Sequence, residues 1–270
     1  MSQSETIGNW REVGPQTYVL PTGKYLLNAG LVIGVERALV IDTGAGPRHG
    51  ATILEAARTM TELPLVVVNT HSHFDHFFGN AVFAAAGTSE FWAHEACATD
   101  IAATGEEQRS FVAEAEPEMA AGTGEDSVLV VPERTVGNQP VMLDLGGRSV
   151  ELFHLGRGHT DNDLLVGVDT VVFAGDLIEE GADPAFEDAF PEEWVQTLER
   201  LVRLRKYETF VPGHGNPVGS DYVRVQASTM SRAIRIVTQA RREAPSDTTK
   251  AIPIMPYAPG HARALMGRLT

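Results

Sequence analysis

The chain has 270 residues, 43% hydrophobic and 21% charged, a balance that allows a buried core. Acidic side chains outnumber basic ones 36 to 21, a formal charge of −15, so a surface that neutralises nucleic-acid phosphates or anionic lipid is not expected. No run approaches the roughly 18 apolar residues of a membrane span, the first twelve residues lack a secretory pattern, and the single cysteine, Cys97, has no partner for an internal disulfide; a cytoplasmic protein is expected.

Residues 10–45 read as strands broken by turns. Tyr18-Val19-Leu20 stops at Pro21-Thr22-Gly23, and residues 24–33 and 36–41 form two strands that meet near Gly34 as a hairpin. Asp42 follows, where Val40-Ile41 opens into a glycine-bearing loop. Residues 47–61 have helical spacing, with Ile53, Leu54, Ala57 and Met60 on one stripe. Residues 65–68 are a short apolar strand, 79–86 a helix, 90–93 a strand, and 95–121 a helical stretch with an acidic, solvated face. In the second half, 128–131, 141–145, 150–155, 164–168 and 170–174 are strand-like. Residues 192–205 form an amphipathic helix with Pro191 just before it, 209–211 a last strand, and 219–242 a long helix. The tail, residues 243–270, carries no assignable pattern. Sheet-forming runs in both halves, interleaved with helices and free of low-complexity linkers, predict a single α/β domain over residues 1–270 in which two sheets pack together under helices.

The densest chemical signal is Thr70-His71-Ser72-His73-Phe74-Asp75-His76, directly after the apolar strand 65–68. A strand end followed by a loop lets closely spaced side chains converge on one point, and imidazole nitrogens with a carboxylate oxygen suit zinc or a neighbouring transition metal. The string resembles the His-x-His-x-Asp-His signature of the metallo-β-lactamase-fold hydrolases. Gly158-His159-Thr160, Gly175-Asp176-Leu177 and Pro212-Gly213-His214-Gly215 follow in that family's order, each read as a strand-to-loop junction, and Val40-Ile41-Asp42-Thr43-Gly44 matches its early turn. The resemblance spans roughly residues 15–220.

That resemblance implies an αββα sandwich, two packed mixed β-sheets flanked by helices. It also implies two zinc ions, with iron or manganese as the other metals such a site accepts. One ion would take His71, His73 and His159; the other would take Asp75, His76 and His214, with Asp176 bridging. Three neutral imidazoles leave the open tetrahedral position of a catalytic zinc, and a second cation about 3.5–4 Å away allows a hydroxide between the two to act as nucleophile. Asp75 would also orient that nucleophile and shuttle its proton. Asp42 is expected just outside the ligands, holding an imidazole in its tautomer. His49, His94, His154 and His261 are not expected to be ligands, and Cys97 reads as a small core residue.

Members of the family cleave β-lactams, lactones, thioesters, phosphodiesters and sulfate esters, and some are iron oxygenases, so the fold alone does not choose a substrate. Asp176 stands where the best-known zinc β-lactamases carry cysteine, and Glu179 where they carry the lysine that binds the β-lactam carboxylate. An aspartate at that position is the arrangement of glyoxalase II and of lactonases. Residues 158–163 and 190–198, by contrast, look closer to the β-lactamase-like branch. The chain's charge demotes the nuclease branches, and His73, where flavin-linked di-iron members carry glutamate, disfavours those. The expected protein is a dinuclear zinc hydrolase of a small ester, lactone, thioester or amide, with weak β-lactamase activity in its range and no nucleic-acid or membrane partner. Two alternatives stand beside it: a mononuclear iron oxygenase of the same fold, and a metal-dependent sensor or binding module presenting the acidic stretch 106–118.

Overall fold

The computed structural model describes residues 9–23, 25–244 and 247–269. Lys24, where the strand 24–33 is predicted to start, lies outside the described residues, as do the first eight of the twelve N-terminal residues and positions 245, 246 and 270 of the tail.

The N-terminal half runs β1 (Arg11–Gly14), β2 (Thr17–Pro21), β3 (Asn28–Ile33), β4 (Ala38–Ile41), α1 (Pro47–Met60), β5 (Leu65–Val68), α2 (Phe74–Phe77), α3 (Asn80–Ala85) and β6 (Phe91–His94). Then come α4 (Glu95–Thr104), a 3-10 helix (Glu107–Val112), α5 (Pro117–Ala121), a short 3-10 turn (Glu125–Ser127) and β7 (Arg134–Val136). The second half holds β8 (Val141–Asp144), β9 (Ser149–Phe153), β10 (Leu165–Val168), β11 (Val171–Glu179), α6 (Pro191–Arg203), β12 (Thr209–His214) and α7 (Ser220–Glu243). It closes with a 3-10 segment (Thr248–Ile254) and α8 (Pro259–Arg268).

Strands β1 to β7 form one sheet in chain order, and β12-β11-β10-β9-β8 form the other. In the first, β1 to β4 pair antiparallel through short turns, and β4 to β7 run parallel. In the second, β8 to β11 are antiparallel and β12 lies parallel to β11. Parallel neighbours need a crossover; α1 supplies it between β4 and β5, and α6 between β11 and β12. The all-apolar runs of β4 and β5 are buried at every residue, as strands covered on both faces should be. Between the sheets lies a layer that includes Leu39, Ile41, Val66 and Val68 from one and Leu152, Val166, Phe173 and Val211 from the other. Helix α1 packs on the outer face of the first sheet, and α6, α7 and α8 on that of the second. The architecture is the predicted αββα sandwich. Among the described residues, no helix is long and apolar enough to cross a membrane.

Several local expectations are corrected. Residues 128–131 are not a strand; the edge strand is β7, where Arg134 and Thr135 are exposed and only Val136 is buried, so apolar content does not mark it. The stretch 95–121 is not one helix, since Gly105 ends α4 and Pro117 opens α5. Glu116, assigned to its solvated face, is buried, and its carboxylate accepts the backbone N–H groups of Arg48 (3.0 Å) and His49 (2.7 Å) at the start of α1, where the helix dipole favours a negative charge. Strand β3 begins at Asn28, after Leu26 turns the chain at φ 55. Gly175-Asp176-Leu177 and Pro212-Gly213-His214 lie inside β11 and β12, not beyond their ends. Register shifts on either side of Gly175 break the ladder there instead. In the C-terminal tail, Ala262, Leu265 and Met266 of α8 join the core cluster of α6 and α7.

Candidate metal centre

The centre is built where four strands end or break. β5 delivers residues 69–76, and Asn69 and Asn80 knit that segment together. Asn69 Nδ2 donates to the His76 carbonyl (2.9 Å), and Asn80 Nδ2 donates to Asn69 Oδ1 (2.8 Å). The loop after β9 brings His159. It is pinned to the first segment by Asn162, whose Oδ1 accepts the Ser72 N–H (3.1 Å) and whose Nδ2 donates to Ser72 Oγ (3.1 Å). β11 carries Asp176 and β12 carries His214. A Cβ on Gly213 would overlap Asp176 Oδ1, so the glycine of Pro212-Gly213-His214 is what allows β12 to pass the carboxylate.

Two groups of donor atoms result. The ligand-type atoms of His71, His73, His159 and Asp176 lie within 4.8 Å of one another, as do those of Asp75, His76 and His214. His73 Nδ1 is 3.1 Å from His71 Nε2 and 2.9 Å from His159 Nε2. Asp176 faces both groups: Oδ2 is 3.7 Å from His159 Nε2 and 3.5 Å from His214 Nε2, and Oδ1 is 3.5 Å from His76 Nε2. Asp75 Oδ2 is 3.2 Å from His214 Nε2. All seven side chains proposed as ligands from sequence thus meet in one place. Among the described residues, His49, His94, His154 and His261 join neither group; His49 stacks on Tyr25, and the His94 and His154 rings meet at a tilt of 32°. Cys97 is buried in α4, away from both groups.

The hydrogen bonds around the imidazoles fix which nitrogen is free. A carboxylate or carbonyl oxygen can only accept. So His73 Nε2 donates to Asp188 Oδ2 (2.8 Å), His76 Nδ1 to Asp42 Oδ2 (2.8 Å), and His214 Nδ1 to the Tyr25 carbonyl (2.9 Å). Thr70 Oγ1 donates to Asp42 Oδ2 (2.8 Å), which leaves its oxygen to accept from His71 Nδ1 (3.1 Å). The nitrogens left over, His71 Nε2, His73 Nδ1, His76 Nε2 and His214 Nε2, all point inward. Lone pairs about 3 Å apart repel unless a proton or a cation lies between them. His76 Nε2 and Asp176 Oδ1 are moreover buried without a hydrogen-bond partner. The donor set therefore fits metal ions, and outer partners of this kind are what fix ligand orientation in metal sites.

The electrostatics differ between the two groups. Burial pushes His71 well below its usual range and His159 down to about 4, so both are neutral, the form that ligates a metal. At His214 burial opposes the charge, but the Asp176 and Asp75 carboxylates outweigh it and raise the imidazole to about 12. Asp75 is held down to about 2, its burial overcome by His76 and His214. At His76 too the Asp176, Asp42 and Asp75 carboxylates outweigh burial and raise the imidazole well above its usual range, so without a cation His76 and His214 are the groups that would carry the balancing protons. Burial also raises Asp163 to about 7, and burial together with Asp176 raises Glu179 to about 8.

Asp188 has no signature in the sequence: it lies 115 positions from His73, and the nearby stretch 190–198 gives no sign that it would face an imidazole. Asp188→Ala is expected to weaken zinc binding by about ten- to a hundredfold, because His73 loses the acceptor that fixes its tautomer. Competition with a chromophoric chelator measures this, and wild-type affinity would show that His73 needs no such partner.

Residues 23–214 match the model of the metallo-beta-lactamase superfamily. The chain is 27% identical over 230 residues to the human (Homo sapiens) acyl-coenzyme A thioesterase MBLAC2, covering 76% of this chain and 79% of the relative. It is 25% identical over 201 residues to a metallo-beta-lactamase type 2 of Bacillus sp. (strain 170), covering 72% and 68%. Among solved structures, the metallo-beta-lactamase FIM-1 from Pseudomonas aeruginosa in its mono-zinc form superposes with a TM-score of 0.68 at 18% identity, covering 86% of this chain and 99% of that one. A metallo-beta-lactamase from Pontibacter korlensis gives 0.65 at 21%, covering 84% and 99%. These two structural likenesses speak for the fold.

Proposed function

The chain belongs to the metallo-beta-lactamase superfamily of hydrolases, and from that premise we propose that it is a dinuclear zinc hydrolase of a small ester, lactone, thioester or amide. The observation that carries this reading is Asp176, whose two oxygens face imidazole nitrogens of both donor groups at 3.5–3.8 Å. His71, His73 and His159 would hold one ion, Asp75, His76 and His214 the other, and Asp176 both. Bound there, the ions supply a Lewis acid for the substrate carbonyl and a water acidic enough to react at neutral pH.

The chain's own groups do the rest. Asp42, Asp188, Thr70 and the Tyr25 carbonyl hold the imidazoles with their free nitrogens inward. Asp75, held near 2, remains a carboxylate through the neutral range, so it aligns the attacking water by accepting its proton in a hydrogen bond. It would pass that proton to the departing oxygen, sulfur or nitrogen as the bond to the carbonyl carbon breaks, and would not store it. The name of the human relative supports an acyl thioester within the substrate range. β-Lactams are minor substrates at most, because Glu179, three residues past Asp176, offers no cation to their carboxylate. Residues 1–270 act here as one catalytic domain.

The test is a hydrolysis panel of β-lactams, homoserine lactones, simple esters and acyl thioesters, run with metal quantification. Chelator-treated protein is expected to lose activity and to regain it with two zinc ions per chain. Recovery only with ferrous iron and consumption of oxygen would establish an oxygenase instead. Metal uptake with nothing on the panel cleaved would favour a sensor.

A further inference from the structure

A cavity of about 650 Å³ opens beside the candidate centre, with Asp176 and His214 in its wall. Part of the wall is apolar. Tyr25 and Leu26 line the cavity, the Tyr25 ring meets Phe74 edge-on at 5.9 Å, and Phe74 meets Phe111 at 5.6 Å. Leu26 is 66% and Phe111 67% exposed. Grouped beside a cleft in this way, exposed apolar side chains mark a binding surface.

Another part of the wall is acidic, formed by Glu180 and Asp183. The hydrogen bonds that hold these carboxylates come from uncharged groups. Glu180 Oε2 accepts from the Asn216 backbone N–H (2.6 Å) and Nδ2 (3.3 Å), and Asp183 Oδ2 accepts from the Ala258 N–H (2.7 Å). Such donors position a carboxylate without neutralising it. Among the described residues, Arg11 is the only arginine or lysine lining the cavity. Carboxylates thus outnumber Arg11 in the wall; an excess of one sign of charge in a cleft acts on whatever enters, and a like charge brought against it is disfavoured.

We propose that this cavity selects substrates whose acyl or aryl part is apolar and whose remainder is neutral or cationic, Glu180 and Asp183 rejecting a carboxylate, phosphate or sulfonate beside the scissile bond. As a statement about catalysis, this selectivity rests on the hydrolase function proposed above. It sets the site apart from one built to grip an anionic group next to the reacting carbonyl.

The test uses zinc-loaded protein and two matched pairs. 3-Phenylpropyl-trimethylammonium and 3-phenylpropanesulfonate are bound in calorimetric titrations; 4-nitrophenyl butyrate and mono-4-nitrophenyl succinate are followed as substrates. The ammonium is expected to bind at least about tenfold more tightly than the sulfonate, and the butyrate to show at least about a tenfold higher kcat/KM than the succinate. Both ratios shrink toward unity in the Glu180→Gln, Asp183→Asn double variant. Phe111→Ala weakens both phenylpropyl ligands several-fold and leaves their ratio in place. A sulfonate that binds as tightly as the ammonium, or ratios that the double variant does not move, would overturn the proposal. The expected binding ratio with neither ester cleaved would uphold the selectivity and overturn the hydrolase function. Equal cleavage of both esters would do the reverse.

Discussion

Asp176→Ala is expected to lower kcat/KM by more than about a hundredfold and to reduce the zinc content below two ions per chain. Changes to groups that only orient a ligand already cost about ten- to a hundredfold in affinity or activity, and Asp176 faces donors of both clusters directly. Removing it also removes the charge that, with Asp75, keeps His214 protonated in the metal-free chain. The fold should survive. The carboxylate is buried with one oxygen unpaired, so its replacement relieves a desolvation cost as well as breaking contacts. The melting temperature of the metal-free variant should therefore stay within about 5 °C of the parent, roughly 1–2 kcal/mol for a chain of this size. Two zinc ions per chain together with activity within tenfold of the parent would remove Asp176 from the centre.

Asp42→Ala is expected to be the most destabilising single change near the site, by about 3–5 kcal/mol. Its carboxylate accepts from the Thr70 N–H, from Thr70 Oγ1 and from His76 Nδ1, each at 2.8 Å, and alanine would leave three buried donors, at about 1–3 kcal/mol each when none can find water. Relaxation of the loop recovers part of that sum. The backbone adds its own cost, because Asp42 sits at φ 61, a conformation that alanine tolerates less well than aspartate or asparagine. Asp42→Asn separates the two roles. Asparagine keeps the left-handed turn and one acceptor, but its amide nitrogen would face the His76 Nδ1–H, donor against donor. It should fold with a loss of only about 1–2 kcal/mol while binding zinc about ten- to a hundredfold more weakly. Calorimetric melting and zinc titration of both variants decide this, and wild-type zinc affinity in Asp42→Asn would show that the tautomer of His76 does not depend on this carboxylate.

Much of the centre was legible in the chain because its first four donors are neighbours. His71, His73, Asp75 and His76 follow a strand so uniformly apolar that both its burial and its end are plain, and no long-range information is needed to see that they can converge. His159, Asp176 and His214 were legible through short motifs in a fixed order. Their placement was misjudged in one respect: Asp176 and His214 lie within β11 and β12, because a ladder broken around Gly175 presents a side chain much as a loop would. The edge strand β7 and the buried Glu116 were missed for a common reason. One apolar residue in three gives no periodic signal, and a charged residue buried against a helix N-terminus is indistinguishable in composition from one in water.

Local order in the sequence thus determined the sandwich, the position of the centre and the residue types in it, since apolar runs and closely spaced ligands act over a few residues. The tertiary structure decided which outer partner holds each imidazole, that Asp176 faces both donor groups, and that the adjoining cavity sets Tyr25 and Leu26 beside acidic side chains. Those features join residues such as His73 and Asp188, 115 positions apart. A hydrogen bond between segments that meet only after folding depends on distance and direction in space, and neither leaves a pattern along the chain.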